Sequence, residues 1–475
     1  MAIAAYVRER AKDRGEELEL KILDLNPGRQ LPSEVVPDIL AFAPDIVGIS
    51  ALSCETEAVQ AMSATLKEHL PDVPLILGGP FPSHDPDEAL RDPCIDYLVL
   101  GEGEASFEEL LTCLREGRDL DEVAGIAFMR DGEKVVTPAR PPILELDDLP
   151  FPAYDLVEVK AYFNVPRHTR IFAHREYMSV VSTRGCPYKC IYCHVTMGKK
   201  TRFRSAAKVV EEIELLVNEY GIREIHWSDD IWNLKRSRSK EICDLLLEKG
   251  IKIKMAFPNG VRGDLFDDEL LDKMRAAGTY HISFAPETGS PRMQEFIQKY
   301  AKLDKLKEVV RKAAERGIWC HGFFMVGFPT ETEEDLQMTF DWALTSKLCT
   351  ASFFVVNAHK GTRLYEVAQS MGLDVDFKPS THNYMNTNFQ LSEIPKEKFN
   401  KLIVRTYLRF FLSPRRLLRI VRALPRKRLL FAFVRELYHR ISVQVLKGPQ
   451  DIYESEGTPD FEGKSLKKVR PYNRV

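Results

Sequence analysis

Three cysteines in one short segment are the residues whose types and spacing point most directly to chemistry. Cys186, Cys190 and Cys193 have C-x₃-C-x₂-C spacing in STRGCPYKCIYC, directly after a candidate strand. Three thiolates in one loop can bind three irons of a cubane iron–sulfur cluster, which usually takes four protein cysteines. No fourth cysteine lies nearby, so one iron would stay open to a substrate or cofactor. The alternative is a closed zinc site, for which His194 could supply the fourth ligand.

The same stretch resembles the CxxxCxΦC signature of the radical S-adenosylmethionine (radical SAM) superfamily, with Tyr192 as the aromatic residue. The resemblance implies that Cys186, Cys190 and Cys193 ligate a 4Fe-4S cluster and that Tyr192 lies near the adenine of SAM. In that superfamily the open iron chelates the methionine part of SAM. One-electron reduction then cleaves SAM to a 5′-deoxyadenosyl radical, which abstracts hydrogen from the substrate.

Later segments match the superfamily in the same order. Asp229 and Asp230 end the second strand of the series, where the resemblance implies contact with the methionine amine. Arg262 follows the third strand in MAFPNGVRGD, and the resemblance implies that it too belongs to the SAM site. Glu287 in FAPETGS takes the ribose or carboxylate position, and Gly327 in GFFMVGFPTET belongs to the segment whose backbone meets the adenine.

Each of these later residues also has a purely structural interpretation. Asp229 and Asp230 could cap a helix, Glu287 could cap the next helix, and Gly327 could belong to an ordinary strand-to-helix turn. Their shared order after the cysteines favours the functional interpretation. The resemblance covers residues 177–370.

Two glycine-rich turns follow strands in the first third of the chain. They are Gly78-Gly79-Pro80 and Gly101-Glu102-Gly103. Glycines at strand ends let a backbone approach a flat ligand closely, although tight turns without a ligand are the alternative. Upstream of a radical SAM segment, the pattern resembles the cobalamin-binding domain of B12-dependent radical SAM enzymes. The resemblance implies that these six residues lie under the corrin.

The sequence departs from that class in two ways. It has no D-x-H-x-x-G motif, which implies base-off cobalamin without a histidine ligand, and His84 is predicted to be a surface or loop residue. It also begins, at MAIAAY, inside what resembles the first helix. The first strand, normally central in such a sheet, is therefore expected to be missing, which would remove part of the cofactor cradle.

Short apolar runs alternate with amphipathic helical patterns, which favours parallel α/β structure. Strands are predicted at 18–25, 45–50, 73–79 and 96–100, helices at 56–69 and 106–116, and a hairpin at 125–137 that turns at Asp131-Gly132. Six further strands are predicted at 177–183, 224–228, 253–257, 281–284, 320–326 and 351–357. Six βα units suit a partial (β/α)6 barrel of the TIM type, with its chemistry at the C-terminal strand ends.

The predicted α/β architecture has four parts. Residues 1–140 form a doubly wound, Rossmann- or flavodoxin-like domain of the cobalamin-binding type, and the proline-rich residues 141–176 form a linker. Residues 177–385 form the radical SAM partial barrel, and residues 386–475 form a basic helical C-terminal region.

Residues 401–440 contain twelve Lys and Arg residues and one acidic residue, Glu436. One interpretation is a helical cap that packs on the barrel and turns its arginines to solvent or acidic neighbours. The other is docking on an anionic membrane surface, at about 1 kcal/mol per basic residue, to reach a lipid substrate. Pro414 and Pro425 divide the region into helices too short to span a membrane.

The composition argues against several other classes of protein. A net charge of −3 does not fit a globally basic nucleic-acid-binding protein. Nine cysteines, an odd number scattered over a long chain, do not fit a secreted disulfide framework. The N-terminus has no apolar export segment. We therefore predict a cytoplasmic location, peripheral at a membrane at most, and no nucleic-acid partner.

Together these observations predict a radical SAM enzyme that functionalises an unactivated carbon of a small molecule. The expected reaction is cobalamin-dependent methylation of a lipid or secondary metabolite, with an external electron donor such as flavodoxin or ferredoxin. A non-methylating cyclase or carbon–carbon bond-forming oxidoreductase is the first alternative. A non-catalytic metal- or cluster-binding module is the second. No catalytic residue beyond the cluster is assigned.

Overall fold

A computed structural model describes residues 1–25, 30–164, 171–194, 196–375, 390–426, 429, 430 and 434. The chain divides into two compact units. Within the described ranges, the first unit comprises residues up to 164 together with 194 and 196–203. The second comprises residues 171–193, 204–375 and the described residues from 390 onward.

The first unit is built on a five-stranded mixed sheet in the order β1-β2-β3-β4-β5. Its three parallel strands are followed by an antiparallel hairpin that turns at Asp131-Gly132, both with positive φ, as predicted. The strands are β1 (Val47–Ser50), β2 (Leu75–Gly78), β3 (Tyr97–Val99), β4 (Ile126–Arg130) and β5 (Glu133–Val136).

Helices cover both faces of this sheet, as the doubly wound prediction requires. Successive residues of β2 belong to different clusters, since Leu77 packs with Leu66 and Val35 while Ile76 packs with Leu110. The helices are α1 (Ala2–Asp13), α2 (Pro32–Phe42), α3 (Thr56–His69), α4 (Pro80–His84), α5 (Pro86–Ala89) and α6 (Gly103–Glu116).

The strand predicted at 18–25 is wrong, because residues 16–24 lie outside any helix or strand. The alternating apolar pattern is real, but a strand also needs a neighbouring backbone to pair with. In the described sheet β1 pairs only with β2. The segment instead lies along α2, where the Lys21 amine donates to the Asp38 carbonyl at 3.1 Å, and Leu18 and Leu23 stay exposed.

The second unit contains a six-stranded parallel sheet in the order β13-β12-β11-β10-β9-β6. Five of its strands are neighbours in chain order, which is the arrangement of a partial TIM-type barrel and confirms the predicted fold class. The strands are β6 (Tyr177–Val180), β9 (Glu224–Trp227), β10 (Lys254–Val261), β11 (Thr279–Glu287), β12 (Trp319–Val326) and β13 (Thr350–Val355). Two short strands, β7 (Thr183–Arg184) and β8 (Arg202–Phe203), lie between β6 and β9 in the sequence.

Helices alternate with these strands and pack on them. They are α7 (Ala206–Tyr220), α8 (Arg236–Glu248), α9 (Asp268–Ala276), α10 (Pro291–Phe296), α11 (Leu303–Glu315), α12 (Glu333–Thr345) and α13 (Arg363–Ser370). Two further helices, α14 (Lys396–Phe411) and α15 (Pro414–Ala423), follow in the basic region.

The basic region packs on the barrel through its aromatic residues. The Tyr407 hydroxyl oxygen in α14 accepts a hydrogen bond from the Phe353 N–H of β13 at 3.1 Å. Arg416 is buried and donates to the carbonyl oxygens of Ala343, Leu344 and Ser346 at the end of α12. These contacts fit the helical-cap interpretation. No helix of the described chain is long and apolar enough to cross a membrane.

Candidate cofactor sites

The cysteine loop begins directly after the short strand β7 and is held at several points. Gly185, with a φ of +83°, starts the loop, and the Ile191 backbone fixes its middle. The Ile191 N–H donates to the Ile297 carbonyl at 3.1 Å, and its carbonyl accepts from the Leu364 N–H at 2.8 Å. These bonds position the three predicted cluster ligands on one loop.

None of the three cysteines of this loop is in a disulfide, and all three have some access to solvent. Cys186 and Cys190 are partly buried and Cys193 is exposed, whereas Cys243, Cys320 and others elsewhere are buried. Three unbridged thiols in one loop are a suitable donor set for a cluster with one open iron. Among the described residues, no three Cys, His, Asp or Glu side chains converge on a single metal ion.

Asp229 and Asp230, predicted to contact SAM, hold the base of the cysteine loop. The Asp229 carboxylate accepts from the Ser182 N–H at 2.8 Å and from its hydroxyl at 3.0 Å. Asp230 accepts from the Gly185 N–H at 3.0 Å. Burial raises the pKa of Asp229 above its ordinary value. Both residues therefore orient the loop, and their contact with SAM stays a prediction.

Glu287 and Tyr192, which are far apart in sequence, meet in the structure. The Tyr192 hydroxyl donates to Glu287 Oε1 at 3.1 Å, and the Lys299 amine donates to the same oxygen at 2.8 Å. Glu287 has a φ of +63°, a strained value for a residue with a side chain. Burial, followed by the Glu287 charge, raises the pKa of Tyr192 well above its ordinary value. These residues offer a charged, partly desolvated position for a ligand with both amine and carboxylate groups.

Arg262 is occupied by contacts within the protein. Its guanidinium binds Asp264, donates to the Lys299 and Tyr300 carbonyls at 2.9 and 3.0 Å, and lies 3.8 Å from the centre of the Tyr188 ring. Tyr188 belongs to the cysteine loop. The arginine therefore links that loop to the Lys299 segment, and a direct contact with SAM stays a prediction.

Gly327 lies in a turn that a buried carboxyl group organises. Its N–H donates to the Glu331 carboxylate, and its φ is +84°. An added Cβ would lie 3.0 Å from the Gln390 side chain and 3.2 Å from that of Phe399, so the position requires glycine. Burial raises the pKa of Glu331 to about 8.

The two glycine turns of the first unit are brought together by Ser83. The Ser83 hydroxyl donates to the Gly79 carbonyl at 2.8 Å and accepts from the Gly101 N–H at 2.9 Å. Gly79 has a φ of +95°, and an added Cβ would lie 2.9 Å from the Ala51 carbonyl. Around Gly101 an added Cβ would meet no atom within 4 Å. An open backbone turn of this kind fits the approach of a large flat cofactor such as cobalamin.

The other predicted cobalamin residues differ in their surroundings. An added Cβ at Gly103 would lie 2.8 Å from Ile3 in α1, so this glycine serves close packing inside the protein. An added Cβ at Gly78 would make ordinary contact with Val99 at 3.9 Å. Pro80 begins α4. His84 ends α4, partly buried, where its ring stacks on His194 with centroids 4.1 Å apart.

Glu102 forms a buried ion pair with Arg202. The guanidinium donates to both carboxylate oxygens of Glu102, one of them at 2.9 Å. It also donates to the carbonyls of Ile143 and Met197 at 2.7 and 2.8 Å. The Glu102 carboxylate, in the second glycine turn, is therefore bound by the Arg202 side chain.

Sequence reasoning missed Lys299, Glu331, Ser83 and Arg202. Lys299, Ser83 and Arg202 lie outside the matched motifs, so no local pattern marks them. Glu331 could have been found, because it lies in the same GFPTET segment as Gly327.

Comparison with known families identifies both parts of the chain. The family model described as "Radical SAM superfamily" matches residues 180–343, and the model described as "B12 binding domain" matches residues 2–111. An uncharacterised methyltransferase of Pyrococcus horikoshii is 31% identical over 409 residues, which are 85% of this chain and 86% of the relative. The chain therefore belongs to the radical SAM superfamily and carries a B12 binding domain.

Two further relatives have named activities. The cytidylyl-2-hydroxyethylphosphonate methyltransferase of Streptomyces wedmorensis is 31% identical and covers 70% of this chain and 68% of its own. The anaerobic magnesium-protoporphyrin IX monomethyl ester cyclase of Rubrivivax gelatinosus is 28% identical and covers 80% and 68%. The protein is an enzyme of the cobalamin-dependent radical SAM methyltransferase family. The family's cofactors are a 4Fe-4S cluster, SAM and cobalamin, as the sequence predicts.

Solved structures share the fold. The radical SAM methyltransferase TsrM of Kitasatospora setae gives a TM-score of 0.63 at 21% identity, over 77% of this chain and 74% of that chain. The cobalamin-dependent enzyme OxsB gives a TM-score of 0.69 at 17% identity, over 86% and 64%. At these identities the likeness concerns the fold alone.

Proposed function

We propose that the enzyme methylates an unactivated carbon of a small-molecule substrate, a lipid or a secondary metabolite. The observation that carries the proposal is the loop that contains Cys186, Cys190 and Cys193, none of them in a disulfide, in a chain that also has a B12 binding domain. In such enzymes the cluster and SAM supply the radical and cobalamin supplies the methyl group. The protein has to bind, orient and shield these groups.

We assign the radical chemistry to residues 177–385 and cobalamin binding to residues 1–140. Cys186, Cys190 and Cys193 hold the cluster, while Glu287 and Lys299 bind the charged methionine part of SAM beside Tyr192. Asp229, Asp230 and Arg262 orient the cysteine loop, as their hydrogen bonds support. Gly327 binds SAM through its backbone. The residues that bind cobalamin through their backbone are those of the two glycine turns, Gly78, Gly79, Pro80, Gly101, Glu102 and Gly103.

The partners follow from the same chemistry. Cys193 is exposed, so a cluster bound there would lie within reach of an external one-electron donor such as flavodoxin or ferredoxin. The proposal also includes peripheral contact with an anionic membrane through α15. In this helix Arg415, Leu417 and Leu418 are exposed, whereas Arg416 between them is buried. A cytoplasmic location, where such donors are available, stays a prediction.

A test starts from the reconstituted full chain under anaerobic conditions with reductant and SAM. The proposal expects about four irons and one cobalamin per chain, and cleavage of SAM that requires the three cysteines. A product 14 mass units heavier than the substrate, formed with release of S-adenosylhomocysteine, identifies methylation. Products without added carbon would support the cyclase alternative, which the 28% identical cyclase relative keeps open. Reductant-dependent SAM cleavage after loss of all three cysteines would overturn the assignment.

A further inference from the structure

The outer face of the barrel sheet is apolar and covered by helices. Along β12, the Cys320 thiol lies 3.8 Å from the Val310 carbonyl of α11. Four residues further on, the Phe324 ring lies 5.7 Å from the Trp342 ring of α12. Because side chains alternate across a strand, His321 and Phe323 point to the opposite face, which is the inside of the barrel.

In β12 and β13 the inner face is partly exposed, whereas the outer face is buried. In β12 and β13, partly exposed residues alternate with fully buried ones along the strand. An eight-stranded TIM barrel fills its interior with layers of large side chains and leaves no such access. The alternating exposure therefore indicates an open interior. Its lining includes His321, Phe323 and Met325 of β12 and Thr350, Ser352 and Phe354 of β13.

The next strand continues this lining down to a histidine. Ser283 of β11 pairs in register with His321, and His281 pairs with Trp319, so His281 and Ser283 share the inner face. His281 is the third residue of β11, and Glu287 of the candidate SAM site is the last. Six residues of strand separate them by about 20 Å. β11 thus runs from the candidate SAM site to the floor of the interior, by which we mean the end of the interior where His281 lies.

His281 has an unsatisfied polar atom at this floor. The residue is only 3% exposed, and among the described residues nothing hydrogen-bonds to its Nδ1 atom. Burial, together with His321 and His226 nearby, lowers its pKa well below the ordinary value, so the imidazole is neutral. A neutral imidazole has one donor and one acceptor nitrogen. An unsatisfied buried nitrogen of this kind marks a place for a ligand atom or an ordered water.

The interior is polar at its floor and apolar above. His321 shares hydrogen bonds with Thr350 Oγ1 at 2.7 Å and Ser352 Oγ at 3.3 Å. Further along the strands, the Phe323 ring lies 4.8 Å from His321 and 5.8 Å from Phe354. The described histidines are not arranged as a metal site. The lining therefore suits a ligand with an apolar body and one polar end.

We propose that this interior binds the substrate as an elongated amphipathic molecule. Its apolar body packs on Phe323 and Phe354, and its oxygen-bearing end, a hydroxyl, carbonyl or carboxyl group, hydrogen-bonds to His281. The inference rests on the proposed function, since it takes the barrel interior as the substrate site. It adds the substrate class and a specificity-determining residue.

Binding of two matched probes to the reconstituted holoenzyme tests the inference by equilibrium dialysis. The probes are 2-naphthol and naphthalene, which share an aromatic body and differ in one hydroxyl group. We expect naphthol to bind at least about tenfold more tightly in the wild type. His281→Leu should reduce this preference to within about twofold, His281→Asn should keep part of it, and Phe323→Ala should weaken both probes.

His69→Leu, a change of an exposed histidine in α3, is the matched control and should leave the preference intact. Circular dichroism and iron content verify that each variant is folded and loaded. Equal binding of the two probes in the wild type, or an unchanged preference in His281→Leu, would overturn the inference. Reductive SAM cleavage is measured in the same preparations. A wild-type enzyme that cleaves SAM but binds the two probes equally refutes the inference alone, whereas absent cleavage in the loaded wild type refutes the proposed function.

Discussion

Two buried arginine–glutamate pairs begin two residues apart in the chain and stabilise different parts of the molecule. Arg202 pairs with Glu102 inside the first unit, and Arg204 pairs with Glu212 of α7 inside the second. Both pairs are almost fully excluded from solvent. Each compact unit therefore contains one of these buried arginine–glutamate ion pairs.

The neighbours of each pair show what it stabilises. Arg202 also binds two backbone carbonyls, and Glu102 lies between two glycines, so this pair fixes a turn whose exposed surface is backbone. Near Arg204, the Arg238 guanidinium donates to the Arg204 and Ser182 carbonyls, beneath the cysteine loop. The first unit thus presents glycine turns, and the second presents thiol and charged side chains.

Removal of one cluster thiol should have the largest effect and should affect the second unit alone. Cys193→Ala is expected to reduce SAM cleavage by more than about a thousandfold, since the cluster loses one of its three ligands. Cobalamin content should stay at wild-type levels. Cys243→Ala is the control, because burial raises the pKa of the Cys243 thiol to about 12 and keeps it protonated. Full cleavage in the Cys193 variant would contradict the ligand assignment.

Breaking the two ion pairs separately should divide the effects between the units. Arg202→Met and Arg204→Met each leave a buried carboxylate without its partner, which costs about 3–5 kcal/mol of unfolding free energy. We expect Arg202→Met to lower cobalamin content and Arg204→Met to lower iron content. Cofactor analysis after matched reconstitution measures both. Equal loss of both cofactors in both variants would show that the pairs do not act on separate sites.

A single methyl group at a glycine turn should weaken cobalamin binding with less damage to the fold. In Gly79→Ala the added Cβ would lie 2.9 Å from the Ala51 carbonyl, at a φ of +95°. We expect cobalamin affinity to fall about tenfold while iron content is unchanged. Gly117→Ala is the control, since φ is also positive there but no atom lies within 4 Å. Wild-type cobalamin affinity in the Gly79 variant would remove this turn from the site.

A buried carboxyl group makes the stability of the second unit depend on pH. The folded protein raises the pKa of Glu331 to about 8, so it holds a proton that the unfolded chain loses at a lower pH. The free energy of unfolding therefore falls as pH rises between about 4.5 and 8, by at most about 1.4 kcal/mol per pH unit. Glu331→Gln should lose less stability than the wild type between pH 5.5 and 7.5 in urea unfolding. Parallel losses would contradict the raised pKa.

Membrane contact should be the smallest effect, because only one short helix of the second unit contributes. Leu417→Ser with Leu418→Ser should weaken binding to vesicles of 30% phosphatidylglycerol in phosphatidylcholine by about threefold to tenfold. Both leucines are exposed, so the fold should be unaffected. Leu144→Ser, an exposed position in the first unit, is the control. Equal sedimentation of all proteins with the vesicles would contradict membrane contact through α15.

Sequence patterns identified the elements whose information is local. The six barrel strands, the hairpin at Asp131-Gly132 and the helix Thr56–His69 lie where periodicity and turn residues predict them. The strand at 18–25 failed because pairing depends on a neighbour that a local pattern does not reveal. For the same reason, the sequence pattern did not predict which residues contact Glu102 and Glu287. Arg202 lies 100 residues from Glu102, and the sequence between them gives no sign of the contact.

The segment around Arg202 also has a consequence for how the protein can be divided. The chain passes from the second unit into the first at residue 194 and returns at residue 204. Neither unit is therefore encoded by one uninterrupted stretch of the gene. A single cut near residue 165 would separate the first unit from Arg202, so that the buried Glu102 carboxylate would lose its ion pair with that guanidinium. Swapping cobalamin-binding modules between relatives requires that residues 194–203 be transferred with them.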